Sequence, residues 1–153
     1  MFHVKIRRAC ADDFAAVYAL NCASFAEAWS EDGIRGVLSG GFDVWLAVHN
    51  DALCGYLFSC DVVDEIHIMQ IAIAESWRKQ GIAVRLSQTL LQDKPVMACA
   101  LLELRRSNRA ARCLYERLGF DVCGQRKNYY SASNGMAVED AILMRLTIRD
   151  DHE

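Results

Sequence analysis

Between Gln70 and Leu104 the chain passes through an apolar strand, a basic turn, a helix and a second apolar strand, and few folds accept that succession. Ile71-Ala72-Ile73 reads as the end of a buried strand. A turn through Glu75-Ser76-Trp77 delivers Arg78-Lys79-Gln80-Gly81-Ile82-Ala83 to the start of a helix that continues to about Gln92. Pro95 closes the connection, and Val96 to Leu104 is apolar on both faces, the pattern of a strand at the centre of a sheet covered on both sides. Two strands joined by a helix form a βαβ unit and are expected as parallel neighbours.

The turn has the makings of a pyrophosphate cradle. A strand feeding a small-residue loop at a helix N-terminus aims free first-turn N–H groups, and the positive end of the helix dipole, at whatever sits there. Gly81 and Ala83 leave room for a ligand near the backbone, and Arg78 and Lys79 add positive charge. An ordinary strand-to-helix turn with a solvated basic pair accounts for the stretch nearly as well.

Hairpins and helices are expected around that unit. Phe2 to Arg8 alternates apolar and polar residues, as a strand does. Asp12 is placed to cap a helix carrying Phe14, Val17, Tyr18 and Phe25, and Ser30 to cap a short second helix that Gly40-Gly41 ends. Phe42 to His49 and Ala52 to Cys60 form a hairpin turning at Asn50-Asp51, and Ile66 to Ile73 is the next strand. Later, Ser107-Asn108 caps a helix to Leu118, with Gly119 as its stop. Phe120 to Tyr130 and Glu139 to Thr147 are strands joined through a polar loop, Ser131 to Gly135. The expected fold class is α/β (α+β): a mixed sheet around the parallel pair, with helices on both faces. One domain is expected over residues 1–149, with a tail at 150–153.

A net charge of −3 argues against a general nucleic-acid footprint. No apolar run approaches the roughly 20 residues that span a membrane, and the N-terminal stretch lacks the continuous apolar core of a signal peptide. The seven cysteines, at 10, 22, 54, 60, 99, 113 and 123, form no Cys-x-x-Cys pair and sit mostly in apolar runs. They are expected as buried, reduced thiols of a cytoplasmic protein, with neither a metal site nor a disulfide framework.

Two residues stand out as candidates for proton transfer. Glu103 ends an otherwise apolar strand, where desolvation would suit a carboxylate to general-base work. A strand-end glutamate that reaches water, or pairs with Arg105 or Arg106, is the plainer alternative. Tyr115 shares a helix face with Ala111, Leu114 and Leu118. It is either a core tyrosine or a proton donor pointing along the helix.

Taken together these parts resemble a known family. Arg78-x-x-Gly81-x-Ala83 is similar to the acyl-CoA signature of the GCN5-related N-acetyltransferases, the GNAT family. Asn108 to Phe120 (NRAARCLYERLGF) resembles that family's second signature, Asn-x-x-Ala-x-x-Leu-Tyr-x-x-x-Gly-Phe. The two in this order are far more specific than either alone. Trp29-Ser30-Glu31, Glu103, Asn128-Tyr129-Tyr130 and Glu139-Asp140-Ala141-Ile142 resemble the ribosomal-protein-alanine N-acetyltransferase (RimI-type) branch, and the likeness runs from about Trp29 to Leu146.

The resemblance implies a mixed, mostly antiparallel sheet whose central parallel strands splay around acetyl-CoA. It implies direct acetyl transfer to a protein N-terminus, the alanine of a small-subunit ribosomal protein. Ile71, Ala72 and Ile73 would meet the pantetheine arm and thioester, Arg78, Lys79, Gln80, Gly81, Ile82, Ala83 and Val84 the pyrophosphate, and Asn108 the cofactor further along. Glu103 would be the base and Tyr115 the acid, with Trp29, Tyr129 and Tyr130 shaping the peptide groove. Ala28 and Ser131 stand where the branch commonly carries proline, which bears on peptide preference. Asp64, Glu65, Glu139 and Asp140 would favour a basic peptide if they face the groove. A small amine or a lysine side chain is the alternative acceptor, and a non-catalytic acyl-CoA-binding domain a third possibility, against which the presence of both Glu103 and Tyr115 argues. No nucleic-acid or membrane partner is expected, and the oligomeric state has no signature in the sequence.

Overall fold

A computed structural model of the chain describes residues 3–132 and 137–149. Along the chain lie β1 (Lys5–Arg8), α1 (Phe14–Ser24), α2 (Glu31–Leu38), β2 (Asp43–His49), β3 (Ala52–Val62) and β4 (Glu65–Ile73). They are followed by α3 (Ile82–Asp93), β5 (Cys99–Arg105), α4 (Arg109–Arg117), β6 (Asp121–Tyr130) and β7 (Glu139–Thr147). The strand order among the described residues is β1-β2-β3-β4-β5-β7-β6, with β4 and β5 parallel. The expected tail at 150–153, the first residues of the N-terminal strand and most of the loop before Glu139 lie outside the described residues. The chain forms two compact units, Met1–Cys60 with Ile68–Lys94, and Asp61–His67 with Pro95–Glu153.

In the first unit β1, β2 and β3 are antiparallel neighbours. Asn50 and Asp51 turn the β2–β3 hairpin with φ of 47° and 62°, the left-handed pair that matches strand twist. Ser30 caps α2 as expected, its Oγ accepting from the Gly33 N–H at 3.1 Å. Asp12 does not cap α1: a 3-10 turn over Ala11–Asp13 precedes the helix, Asp13 takes the N-cap position without a side-chain cap bond, and its carboxylate instead accepts from the Cys10 N–H ahead of the turn at 2.8 Å. Phe25 closes α1 in extended conformation rather than riding on it. Val17, Ile34, Val37, Val44, Leu46, Tyr56, Phe58 and Ala72 form a core between α1, α2 and one face of the strands. Helix α3 packs on β1 and β2 with Leu86 and Leu90 fully buried, neither in that core, so it covers the other face. Gly55 is where β3 meets the end of β4 closely: a Cβ there would stand 2.9 Å from the Ala72 carbonyl oxygen.

In the second unit β4 pairs with β5 over Glu65↔Cys99, Ile66↔Ala100 and His67↔Leu101, and β7 lies antiparallel between β5 and β6. The strand expected from Val96 starts at Cys99, because pairing begins only where the Ala98 N–H reaches the Asp64 carbonyl; Val96 is 71% exposed. The register sets two faces. Ala100, Leu102 and Leu104 share one with Leu146, Met144 and Ile142, while Leu101, Glu103 and Arg105 share the other with Arg145, Leu143 and Ala141. Asn108 caps α4 and Gly119 stops it with φ of 101°.

Among the described residues no cysteines are bonded as disulfides, but the expectation that most are buried is corrected: only Cys54 and Cys99 are. Cys22 and Cys113 lie on exposed positions of α1 and α4, and Cys123 at an irregularity in the β6–β7 register.

Candidate active site

The basic turn of the first unit has the local geometry of an anion site. Gly81 is the N-cap of α3 with φ of 79°, offers no side-chain cap, and has open space where a Cβ would stand. The first backbone bond into the helix is Arg85 N–H to Gly81 C=O at 3.1 Å, so the preceding first-turn N–H groups are not consumed by the helix. Arg78 and Lys79 are exposed beside them. Arg78 also ties the turn back to β4, its Nε donating to the Ile73 carbonyl at 3.2 Å. Gln80 is held by a longer bond, 3.4 Å to the Ser76 carbonyl. Ile82 is buried, and Ala83 and Val84 half-buried, so whatever these three offer a ligand comes from their backbone.

Ahead of the turn, Ala72 is buried in the core, and Ile71 and Ile73 project to the opposite face of β4. The parallel ladder ends at His67, and from Ile68 onward the backbone of β4 is not used by it. Those are the backbone groups expected to meet an acyl group.

The second unit holds Glu103 and Tyr115. Glu103 is partly exposed and lies on the Leu101/Arg105 face, opposite Leu143. Its partner is neither Arg105 nor Arg106 but Arg126 of β6, at 3.4 Å. Arg105 instead lies over the Tyr130 ring at 4.4 Å and 3.7 Å from Glu139. Tyr115 is 7% exposed, edge-on to Phe120 at 5.5 Å. Gly119, which follows, stands against Leu146 on the Leu102/Leu104 face, so α4 and Tyr115 belong to the face opposite Glu103. Burial alone pushes the Tyr115 ionisation above the usual tyrosine range. Its hydroxyl makes no hydrogen bond within the described residues, and it is not among the sealed polar atoms without a partner, so it keeps an opening to its surroundings.

Asn108 is occupied as a cap, its Oδ1 accepting from the Ala111 N–H at 3.2 Å. Tyr129 and Tyr130 meet edge to face at 5.1 Å, with Tyr129 exposed and 5.3 Å beneath the Arg126 guanidinium. Trp29 packs its ring against Phe42 and Phe58 in the first unit. Two of the four acidic residues suggested as a basic-peptide attractor, Glu139 and Asp140, are engaged in structure. Glu139 accepts from the Ser107 N–H and hydroxyl, which hold its carboxyl below the usual range, and Asp140 accepts from Asn128 N–H and Gln125.

Four residues escaped the sequence reading. Arg126 is one. The others are Asn21, Tyr56 and Gln70, a hydrogen-bonded group joining α1, β3 and β4. An asparagine inside the apolar run of α1 was the available signal; nothing in the sequence marked Tyr56 or Gln70.

Comparison with known proteins agrees with this architecture. Residues 40–122 match the acetyltransferase (GNAT) domain. The [ribosomal protein bS18]-alanine N-acetyltransferase of Escherichia coli (strain K12) is 32% identical over 138 residues, spanning 89% of this chain and 92% of its own. The protein of the same description from Salmonella typhimurium is 30% identical over the same shares. The crystal structure of the ribosomal-protein-S18-alanine N-acetyltransferase from Escherichia coli superposes with a TM-score of 0.89 at 29% identity, covering 99% of this chain and 97% of that one. The fold and these matches thus define an acyltransferase. The chain belongs to the GNAT acetyltransferase family, whose acetyl donor is acetyl-CoA. An uncapped helix N-terminus with an open glycine and two exposed cations suits the pyrophosphate of that donor.

Proposed function

We propose that the protein is an Nα-acetyltransferase for a protein N-terminus, the N-terminal alanine of ribosomal protein bS18 being the first candidate. The acceptor is taken from relatives that match this chain over almost its whole length. The chemistry rests on one observation, the placement of Glu103 and Tyr115 on opposite faces of the β5–β7 layer. On this reading residues 1–149 act as one acetyltransferase domain, and the ribosomal acceptor puts it in the cytoplasm.

Acetyl-CoA, when bound, supplies the activated thioester. The backbone of Arg78 to Val84 would hold its pyrophosphate, and Ile71 to Ile73 its acyl end, where a strand N–H stabilises the charge that develops on the carbonyl oxygen. Asn108, with Oδ1 committed to the cap, retains its amide N–H groups for the donor. Glu103 takes the proton of the incoming amine; a free α-amino group has a pKa of about 7.7–8.0, within reach of a carboxylate at neutral pH. Tyr115, kept protonated by burial, gives its proton to the departing sulfur. A base and an acid on opposite sides need no covalent acyl-enzyme, so none of the cysteines is required as a nucleophile. Tyr129, Tyr130 and the loop held by Trp29 would border the acceptor.

CoA release with acetyl-CoA and a short Ala-initiated peptide tests the acceptor. Turnover with the peptide, and little with small amines or internal lysines, is the expected result. The reverse preference would overturn the assignment. Mass spectrometry of ribosomal proteins from cells lacking the enzyme then identifies the N-terminus that loses its acetyl group.

A further inference from the structure

The outward face of α4 carries charge that the fold does not consume. Arg105 to Arg117 hold five of the chain's 17 lysines and arginines, every one an arginine, and one carboxylate, in a chain of net charge −3. Ala111, Leu114, Tyr115 and Leu118 lie on the covered side of the helix. Arg109, Arg112, Cys113, Glu116 and Arg117 are exposed on the other side. Arg112 meets Glu116 at 2.9 Å, whereas Arg109 and Arg117 take no acidic partner among the described residues. Arg106, just ahead of the Asn108 cap, is 69% exposed.

Most of these placements run against the helix itself. Arg109 stands at the first helical position, where the positive end of the dipole disfavours a cation, and the first turn has no acid. The Arg112–Glu116 pair has its cation on the N-terminal side, the weaker order for an i,i+4 pair. Only Arg117, in the last turn, sits where the dipole favours it. Charge that weakens its own helix points to a partner outside the chain. Arg109 and Arg117 are eight residues apart, about 12 Å along the axis. One phosphate group does not reach both ends of such a row; a polyanion does. We infer that the outward face of α4 docks the phosphate backbone of RNA. The choice of RNA rests on the proposed acceptor, since a ribosomal protein is presented beside RNA. Arginine, with paired planar donors that take a phosphate in two bonds, fits that backbone better than lysine. A lipid surface would call for apolar residues to insert, and those of α4 are already covered by the fold. Backbone contacts carry no sequence information, so the face brings the enzyme to its acceptor rather than selecting the residue.

Fluorescence anisotropy with a labelled RNA hairpin of arbitrary sequence, from about 50 to 200 mM salt, tests this. The wild-type chain should bind at the low end, with an affinity that falls steeply as salt rises. Replacing Arg112→Gln and Arg117→Gln together should weaken binding at least about tenfold and reduce the log–log salt slope by roughly 1–2. Glu116→Gln removes the one carboxylate of the face and should tighten binding by about two- to fivefold, a gain that loss of structure does not imitate. Both variants should turn over an Ala-initiated peptide at the wild-type rate. A parallel fall in that turnover assigns the arginines to the donor or to the fold and overturns the inference. So does the absence of RNA binding at low salt, or binding that the substitutions leave unchanged. Equal binding to poly-glutamate, or to vesicles containing phosphatidylserine, also overturns it and reassigns the face to an acidic protein or a membrane. Failure of the wild-type enzyme to acetylate the peptide, with RNA binding intact, overturns the acceptor assignment alone.

Discussion

Arg126 of β6 and Glu103 of β5 are ion-paired at 3.4 Å across the intervening strand β7. The span is possible because the residue opposite both Arg126 and Arg105 is Ala141, too small to block the guanidinium. The arginine is about half exposed, and exposed pairs contribute only about 0–1 kcal/mol to stability. Its purpose is better sought in the carboxylate it steadies. Glu103→Gln should lower kcat by roughly 10²–10⁴-fold, the usual range for a lost general base. Arg126→Gln should leave the melting temperature almost unmoved yet lower kcat by about tenfold, with Arg126→Lys recovering part of it. A melting shift without a kcat change would make the pair purely structural.

Tyr115→Phe separates a catalytic tyrosine from a core one. A core tyrosine with a satisfied hydroxyl loses stability when that group is removed, typically by about 1 kcal/mol. The Tyr115 hydroxyl has no such partner within the described residues, so the phenylalanine variant should be as stable as the parent while kcat falls. Acetyl-CoA affinity from calorimetry should stay within about twofold. Equal losses of affinity and rate would assign the hydroxyl to binding.

How much of this was legible beforehand follows the range of the forces. The βαβ unit was readable because a strand, a turn and a helix are specified by neighbouring residues, and β4, α3 and β5 appear where the apolar runs place them. The turn that would form the anion site was legible for the same reason: Gly81 and the first turn of α3 shape it locally. Pairings over long sequence distances were not. Nothing in the sequence marked Arg126, 23 positions from Glu103, as its partner, and the spans from Asn21 to Tyr56 and to Gln70, 35 and 49 positions, are longer still. The partners that Glu139 and Asp140 take on the α4 and β6 sides were hidden on the same ground. Asp12 and Asp13 differ by one position, and propensity alone does not choose between them; the Arg7 guanidinium does.

Gly55→Ala probes the proposed acyl end of the site from behind. The added methyl would meet Ile73 Cδ1 at 2.6 Å and the Ala72 carbonyl oxygen at 2.9 Å. The isoleucine can turn aside, but the carbonyl belongs to the β4 backbone and moves only if the strand does. Overpacking of this kind costs about 1–3 kcal/mol. Chemical denaturation should register that loss, and KM for acetyl-CoA should rise, because the displaced backbone is that of Ala72 and Ile73. Lost stability with an unchanged KM would show that this part of β4 is not in contact with the donor.

The last prediction concerns acid. Asp13 receives both terminal nitrogens of Arg7, at 2.8 and 2.9 Å, together with the Cys10 N–H. The Arg7 guanidinium, chiefly through its hydrogen bond, holds the Asp13 carboxyl at about 2, against an ordinary value of 3.8. A depressed carboxylate binds its proton less tightly folded than unfolded, so between the two values the unfolded chain takes up more protons and stability falls as pH falls. The contribution is complete above about pH 5, falls steeply on the way to the folded value of about 2, and is gone below about pH 1. Discounted for an arginine that is 43% exposed, it amounts to about 1–2 kcal/mol. Asp13→Asn should therefore be less stable than the parent by that amount at pH 7 in urea denaturation, and the gap should narrow steeply as the titration approaches pH 2. A gap independent of pH would assign the loss to the Cys10 cap, and the ion pair would then contribute nothing measurable.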